Sequence, residues 1–309
     1  MHSCRKRGRV KNKKVLVVGT GALATLFAAR LSASGTNVTM LGSWTEGLAA
    51  LNRDGARLEG LGGFPVRATA DPAACTGMNL ALVLVKSFQT LRVAALLEQI
   101  LIPGGLALTL QNGLGNDLLL ANALGAGRVA RGITTLGATL TAPGVVRLAG
   151  EGPLWLEAHP QIAPLTVMLQ QAGFPVEEVA DIRPRVWGKL VVNAAINPLT
   201  ALLRVKNGLL LQSLPVRELM GELAEEAAAV AVSQGVRLPF PGPRQAAEEV
   251  AQRTGENLSS MLRDVLRGAP TEVDTINGAV VRLGEENGIP VPVNRTMWAL
   301  LKEFPFMVR

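Results

Sequence analysis

A chain of 309 residues that is 48% hydrophobic and 18% charged can bury a sizeable core and make two domains, which excludes a disordered protein. The net charge of +7 does not point to nucleic acid: seven lysines and arginines crowd into residues 1–14, leaving 24 basic and 24 acidic side chains over residues 15–309. Cys4 and Cys75 are the only thiols, with neither disulfide nor metal-ligand spacing, so no metal site is expected and the chain reads as cytoplasmic.

Residues 1–14 are expected to be a basic, disordered and dispensable tail. With the apolar stretch 15–29 and Ser32-Ala33-Ser34 behind it, the tail has the outline of a secretory signal. Against that, Arg30 interrupts the stretch, and removing it would delete a sheet's first strand. No uncharged apolar run elsewhere has bilayer length, so no membrane partner is expected.

Val15–Val18 reads as a buried parallel strand, and Gly19-Thr20-Gly21-Ala22-Leu23-Ala24 turns from it into an Ala/Leu-rich helix over 23–31. Gly19 permits the tight turn, Gly21 lets a pyrophosphate approach the backbone, and Ala24 lets helix and strand pack, with the helix N-terminus facing the phosphates. Asn37–Leu41 is the second strand. No acid stands at its end to take a ribose hydroxyl; Gly42-Ser43-Trp44 follows, tilting the cofactor toward NADP with Ser43 as a phosphate ligand. A helix is predicted over 46–53 and a short hairpin over 55–70. Leu80–Val85 is the next strand and delivers Lys86 to its carboxyl end, as a ligand group or as a solvated strand-end lysine. Leu106–Leu110 leads to Gln111-Asn112-Gly113, a turn whose Asn112 amide could reach a nicotinamide or substrate. Strands over 128–139 and 145–157 are expected to complete the same sheet, with a helix at 161–172 and a closing strand at 176–179.

From residue 183 the pattern becomes helical, with helices predicted over 184–206, 215–234, 243–266 and 271–287. The acidic pairs Glu225-Glu226, Glu248-Glu249 and Glu285-Glu286 read as solvated faces. The fold class is thus α/β: a Rossmann-type dinucleotide-binding domain over 15–180, then an all-helical domain over 181–309. The chain has no tyrosine, and outside the tail His159 is its only histidine, so Tyr- and His-based acids are disfavoured. In the first long helix Lys189, Asn193 and Asn197 stand at spacings of four in an otherwise apolar run. They share one face over ~12 Å of axis, long enough to line a small polar substrate. Asn197-Pro198 should kink or interrupt that helix. Glu272 and Asp274 are explained on spacing alone as acids near a helix N-terminus.

The motifs GTGALA, LQNGLGN, WGKLVVNAAINPLTAL, ENLSSMLRD and PTEVDTINGAVVRLGEENGIPVPVN, in that order, resemble the ketopantoate reductase family from residue 15 onward. The resemblance implies NADPH-dependent reduction of 2-dehydropantoate to (R)-pantoate, on the way to pantothenate and coenzyme A. It implies that Lys189 is the general acid and that Asn193, Asn197, Asn207 and Ser260 bind the substrate's carboxylate and hydroxyl. Asn112 would stand between nicotinamide and substrate, and Glu272 near the cofactor and the lysine. Gly19, Thr20, Gly21, Ala22, Leu23, Ala24, Lys86 and Ala138 would line the cofactor. The chain departs from the family pattern at Ala24, where many members have Gly, and at Ser43, where an arginine typically pairs with the 2′-phosphate. The expected partner is a small 2-oxo acid, with a homodimer as the candidate assembly and the oligomeric state not set by the sequence. Two further readings stay open on the residues: a reductase of another 2-oxo acid, and a non-catalytic NADP(H)-binding regulator.

Overall fold

The computed structural model describes residues 14–307, the side chains of 304–307 excepted. Its elements run β1 (Lys14–Val18), α1 (Ala22–Ala33), β2 (Asn37–Leu41), α2 (Thr45–Asp54), β3 (Ala56–Leu58), β4 (Gly62–Phe64), β5 (Arg67–Thr69), β6 (Met78–Val83), α3 (Thr90–Ile100) and β7 (Leu101–Thr109). There follow α4 (Asn116–Leu124), β8 (Val129–Thr134), β9 (Gly137–Ala142), β10 (Val145–Gly150), β11 (Leu154–Glu157), α5 (Ala163–Gln171) and β12 (Val176–Val179). The helices α6 (Arg183–Leu203), α7 (Leu214–Ser233), α8 (Pro243–Arg253), α9 (Ser260–Leu266), α10 (Asn277–Glu286) and α11 (Pro292–Met307) end the chain. Lys14 pairs with Asn37 in the sheet, so β1 starts one residue inside the predicted tail; residues 1–13 of that tail lie outside the described residues.

Packing divides the chain into two compact units. The first holds the strands up to Val85, then Gln89–Gln111 and Asp117–Ala180. Its eight-stranded sheet has the order β12-β11-β8-β7-β6-β1-β2-β5 and is parallel except between β8 and β11. The chain runs outward from β1 to β2 and returns on the other side as β6, so β1 and β6 flank the switch point where open α/β sheets bind ligands. β9 and β10 do not complete this sheet, as their strand pattern suggested. They join the β3–β4 hairpin in a second sheet, β4-β3-β10-β9, while β5, the rest of the segment predicted as a hairpin, pairs with β2 in the first. Strand propensity carries no information about which sheet a strand will join. The second sheet explains α1, which is apolar almost all round: β1 and β2 pack against it, and so do β3, β9 and β10. Phe27 of α1 stacks on Phe174 with ring centroids 4.2 Å apart.

The second unit comprises Asp181 onward together with two strand-end segments, Lys86–Phe88 after β6 and Asn112–Asn116 after β7. α6 is its central helix, packed against α7, α8, α9 and α11. By length and composition α6 could cross a membrane, but 67% of its most apolar stretch is buried inside the protein. Three predicted boundaries move. Pro198 lies inside α6 without ending it. The predicted helix over 243–266 divides into α8 and α9, because Gly255 and Asn257 turn their carbonyls to the N–H groups of Gly208 and Asn207. The last predicted helix begins at Asn277 rather than 271, since residues 271–276 form a turn held by tertiary hydrogen bonds.

Candidate active site

In the first unit the loop between β1 and α1 is built to leave space. Gly19 has φ +125°, and a Cβ there would stand 3.0 Å from the Leu84 carbonyl oxygen, so position 19 demands glycine twice over. Gly21 differs. Its φ of −79° suits any residue, and an added Cβ would meet nothing within 4 Å. Among the described residues no atom requires that glycine, and the space beside it is open. Gly21 is the N-cap of α1, with no side-chain cap and no acid in the first turn, so no capping side chain occupies the helix-end N–H groups. Thr20 packs its methyl against Gly42. These residues fit a dinucleotide pyrophosphate. Ser43 is exposed directly after β2, and Ala138 lies half-buried on β9 opposite Leu148 in the second sheet.

In the second unit the polar face of α6 gathers Lys189 and Asn193, both half-buried, and Asn197, which is buried. Burial pulls the Lys189 ammonium down to about 8, while the Glu272 carboxylate pulls it upward. Asn197 Nδ2 is buried without a hydrogen-bond partner among the described residues, a costly arrangement unless a ligand completes it. Asn207 opens the short 3₁₀ segment after α6; its Nδ2 donates to Thr254 Oγ1 at 2.8 Å, while its buried Oδ1 has no such partner. Ser260 is the exposed first residue of α9. Its neighbour Ser259 is the helix cap, accepting from Leu262 N–H at 3.0 Å and bonding the Thr200 hydroxyl at 2.7 Å.

Glu272 is the hub. Only 5% of its side chain is exposed. Oε1 accepts the Ser87 N–H at 3.2 Å, Oε2 accepts from Asn112 Nδ2 at 3.2 Å, and Lys86 Nζ lies 3.6 Å from Oε2. The turn that carries it is pinned as well: Thr275 donates its hydroxyl hydrogen to Ser87 Oγ at 3.0 Å and accepts the Leu114 N–H at 3.0 Å. Gly113 makes this approach possible. Its φ is +81°, and a Cβ there would lie 2.5 Å from the Thr275 carbonyl oxygen. Lys86 is no solvated strand-end lysine, since its ammonium bonds Asp264 Oδ2 at 2.6 Å. Burial pulls that ammonium down, but the Glu272 and Asp264 carboxylates outweigh burial and its pKa lies above the ordinary lysine value. Burial pushes the Asp264 carboxyl up, with Lys86 offsetting only part. Asp264, Ser87 and Thr275 were not singled out in the sequence. A buried acid in the ENLSSMLRD motif was the one signal available for Asp264.

Two acids have structural explanations. Asp274 accepts the Trp298 indole N–H at 2.7 Å. Glu226 is no solvated face: its carboxylate accepts the N–H groups of Val293 and Asn294 at 2.9 and 2.8 Å, capping α11. Among the described residues no group of three or more His, Cys, Asp or Glu could hold a metal ion.

Two family models match the chain, "Ketopantoate reductase PanE/ApbA" over residues 15–161 and "Ketopantoate reductase PanE/ApbA C terminal" over 181–304. A curated 2-dehydropantoate 2-reductase from Archaeoglobus fulgidus is 36% identical, covering 94% of this chain and 97% of its own length. One from Halobacterium salinarum is also 36% identical, over 94% and 98% respectively. The crystal structure of a PanE/ApbA family ketopantoate reductase from Ralstonia eutropha JMP134 superposes with a TM-score of 0.89 at 33% identity, covering 95% of this chain and 99% of that one. A phosphate-ready glycine turn in one unit, a desolvated lysine facing a fixed carboxylate in the other, and matches spanning both place the chain in the ketopantoate reductase family.

Proposed function

We propose that this chain reduces 2-dehydropantoate to (R)-pantoate with NADPH, in the pathway to pantothenate and coenzyme A. The single observation that carries the reading is the half-buried Lys189 under the influence of the buried Glu272, a lysine lowered to about 8 by burial against a carboxylate that raises it. A dinucleotide whose pyrophosphate is held at the glycine turn would supply, from its nicotinamide, the hydride that reduces the ketone carbon. Negative charge then develops on the carbonyl oxygen. Lys189 Nζ stabilises that charge and delivers a proton to the oxygen, leaving a neutral amine that solvent reprotonates. With a pKa about 8, the lysine is mostly charged at neutral pH yet gives up its proton readily.

Glu272 works through the lysine. Held by Ser87, Asn112 and Lys86, it keeps Lys189 from losing its proton to burial altogether. Asn193, Asn197, Asn207 and Ser260 bind the substrate's carboxylate and hydroxyl, with Asn197 Nδ2 and Asn207 Oδ1 free to take ligand hydrogen bonds. Gly19, Thr20, Gly21, Ala22, Leu23 and Ala24 hold the pyrophosphate, and Ser43, with no acid beside it, accepts the 2′-phosphate. Lys86, Asn112 and Ala138 line the rest of the cofactor.

The test is NADPH oxidation against a panel of 2-oxo acids that includes 2-dehydropantoate, with NADH in parallel. The proposal expects the highest kcat/KM for 2-dehydropantoate with NADPH. A higher value for another 2-oxo acid, or for NADH, would overturn the substrate or the cofactor assignment respectively.

A further inference from the structure

Pro198 poses a problem that α6 solves from outside. Lacking an N–H, it leaves the carbonyl of Ala194, one turn earlier, without its helical donor, and Ala194 is fully buried. The helix nevertheless runs unbroken from Arg183 to Leu203. The missing donor is Asn277 Nδ2, 3.0 Å from the Ala194 oxygen. Asn277 is itself fully buried, and the same amide nitrogen donates to Asn294 Oδ1 at 2.9 Å. Asn294 in turn donates to the Leu223 carbonyl at 3.1 Å and to Glu226 Oε2 at 2.8 Å, so the network is anchored in α7 and α11.

The two ends of the Asn277–Ala194 bond matter more than the bond alone. Ala194 directly follows Asn193 and precedes Asn197 by three residues, on the helix that carries Lys189. Asn277 is the first residue of α10 and follows directly on the turn that carries Glu272. One side-chain amide therefore ties the lysine helix to the carboxylate turn. We propose that Asn277 is a positioning residue, fixing the separation of Lys189 and Glu272 by supplying the hydrogen bond that Pro198 removes. This rests on the roles given to Lys189 and Glu272 above.

The test is a double-mutant cycle between Asn277→Ala and Pro198→Ala. Alanine at 198 restores a backbone N–H, and with it a second donor for the Ala194 carbonyl. Asn277→Ala alone is expected to lower kcat about 10- to 100-fold, the scale on which small misplacements act. The alkaline limb of its pH–kcat/KM profile should move to lower pH, because Glu272 no longer supports the lysine, while the KM for NADPH stays within about threefold. In the Pro198→Ala background the same change should cost less than about fivefold. A folded Asn277→Ala enzyme with wild-type kcat and pH limb, or an equal loss in both backgrounds, overturns the proposal. Asn277→Leu, which fills the volume with apolar surface, repeats the test should the alanine variant fail to fold. If both single variants fail to fold, Asn277 is a folding residue and the positioning role is overturned. Lys189→Ala assayed alongside separates the two readings: wild-type kcat there rejects the lysine mechanism itself, whereas loss there with an unchanged Asn277→Ala rejects only the role of Asn277.

Discussion

The glycine turn of the first unit and the lysine helix of the second prepare for charge in opposite ways. Around Gly21 the protein offers backbone only: helix-end N–H groups, no side-chain cap, and an open space where a Cβ would touch nothing. Around Lys189 it offers side chains, some buried and some half-buried, with Glu272, Lys86, Asp264 and Asn112 tied to one another. A backbone site holds a dianionic phosphate with dipoles that never titrate. A side-chain site must change protonation during turnover, so it needs groups whose pKa values burial and neighbours can move. Substitutions in the two regions should accordingly fail differently, one in cofactor affinity and the other in turnover and pH dependence.

The largest effect is expected from Lys189→Ala. Losing a general acid costs ~10²–10⁴-fold in kcat, and NADPH affinity measured by fluorescence titration should hold, because the glycine turn belongs to the other unit. Next comes Glu272→Gln, which keeps the shape and one acceptor oxygen but turns the other acceptor into an NH2 donor and removes the charge that raises Lys189. Its kcat is expected to fall about 10- to 100-fold, since a misplaced or less protonated acid still contributes something.

Gly21→Val sharpens the contrast from the other side. The backbone at 21 accepts a side chain and nothing crowds it, so the melting temperature should stay within ~2 °C, yet the Kd for NADPH should rise at least about tenfold, the ~1.4 kcal/mol of one lost close approach. Gly19→Ala is its counterpart. At φ +125° and 3.0 Å from the Leu84 oxygen it should destabilise the unit by ~1–3 kcal/mol in denaturant unfolding, with or without cofactor. Smallest is Ser43→Arg. A guanidinium beside the 2′-phosphate should raise the NADPH/NADH ratio of kcat/KM by about three- to tenfold.

The two regions also differ in how much of them the sequence disclosed. The turn from Gly19 to Ala24 is local, six consecutive residues between a strand and a helix, and each glycine's reason can be stated from its own position. The face of Lys189, Asn193 and Asn197 is readable for the same reason, since a period of four is a local property of one helix. Glu272 is not local. Its spacing fits a helix cap, and its partners Ser87 and Asn112 stand 185 and 160 residues away. The uninterrupted α6 is another such case: Pro198 predicts a kink or interruption by local rules, and the amide of Asn277, distant in the chain, supplies the donor that proline withholds from the Ala194 carbonyl. β9 and β10 show the limit at the level of topology, being legible as strands but not as members of a second sheet.

The most direct measurement of the central claim is the pH dependence of kcat/KM for 2-dehydropantoate reduction in wild type, Glu272→Gln and Lys189→Ala. The reaction consumes the protonated lysine, so the rate should be level below the Lys189 pKa and fall tenfold per pH unit above it, with the wild-type bend at about 8. Removing the Glu272 charge removes an influence that raises that pKa, so the bend should move to lower pH. In Lys189→Ala the low residual rate should show no bend there. A bend near 8 that survives in Lys189→Ala, or one that moves to higher pH in Glu272→Gln, would contradict the account.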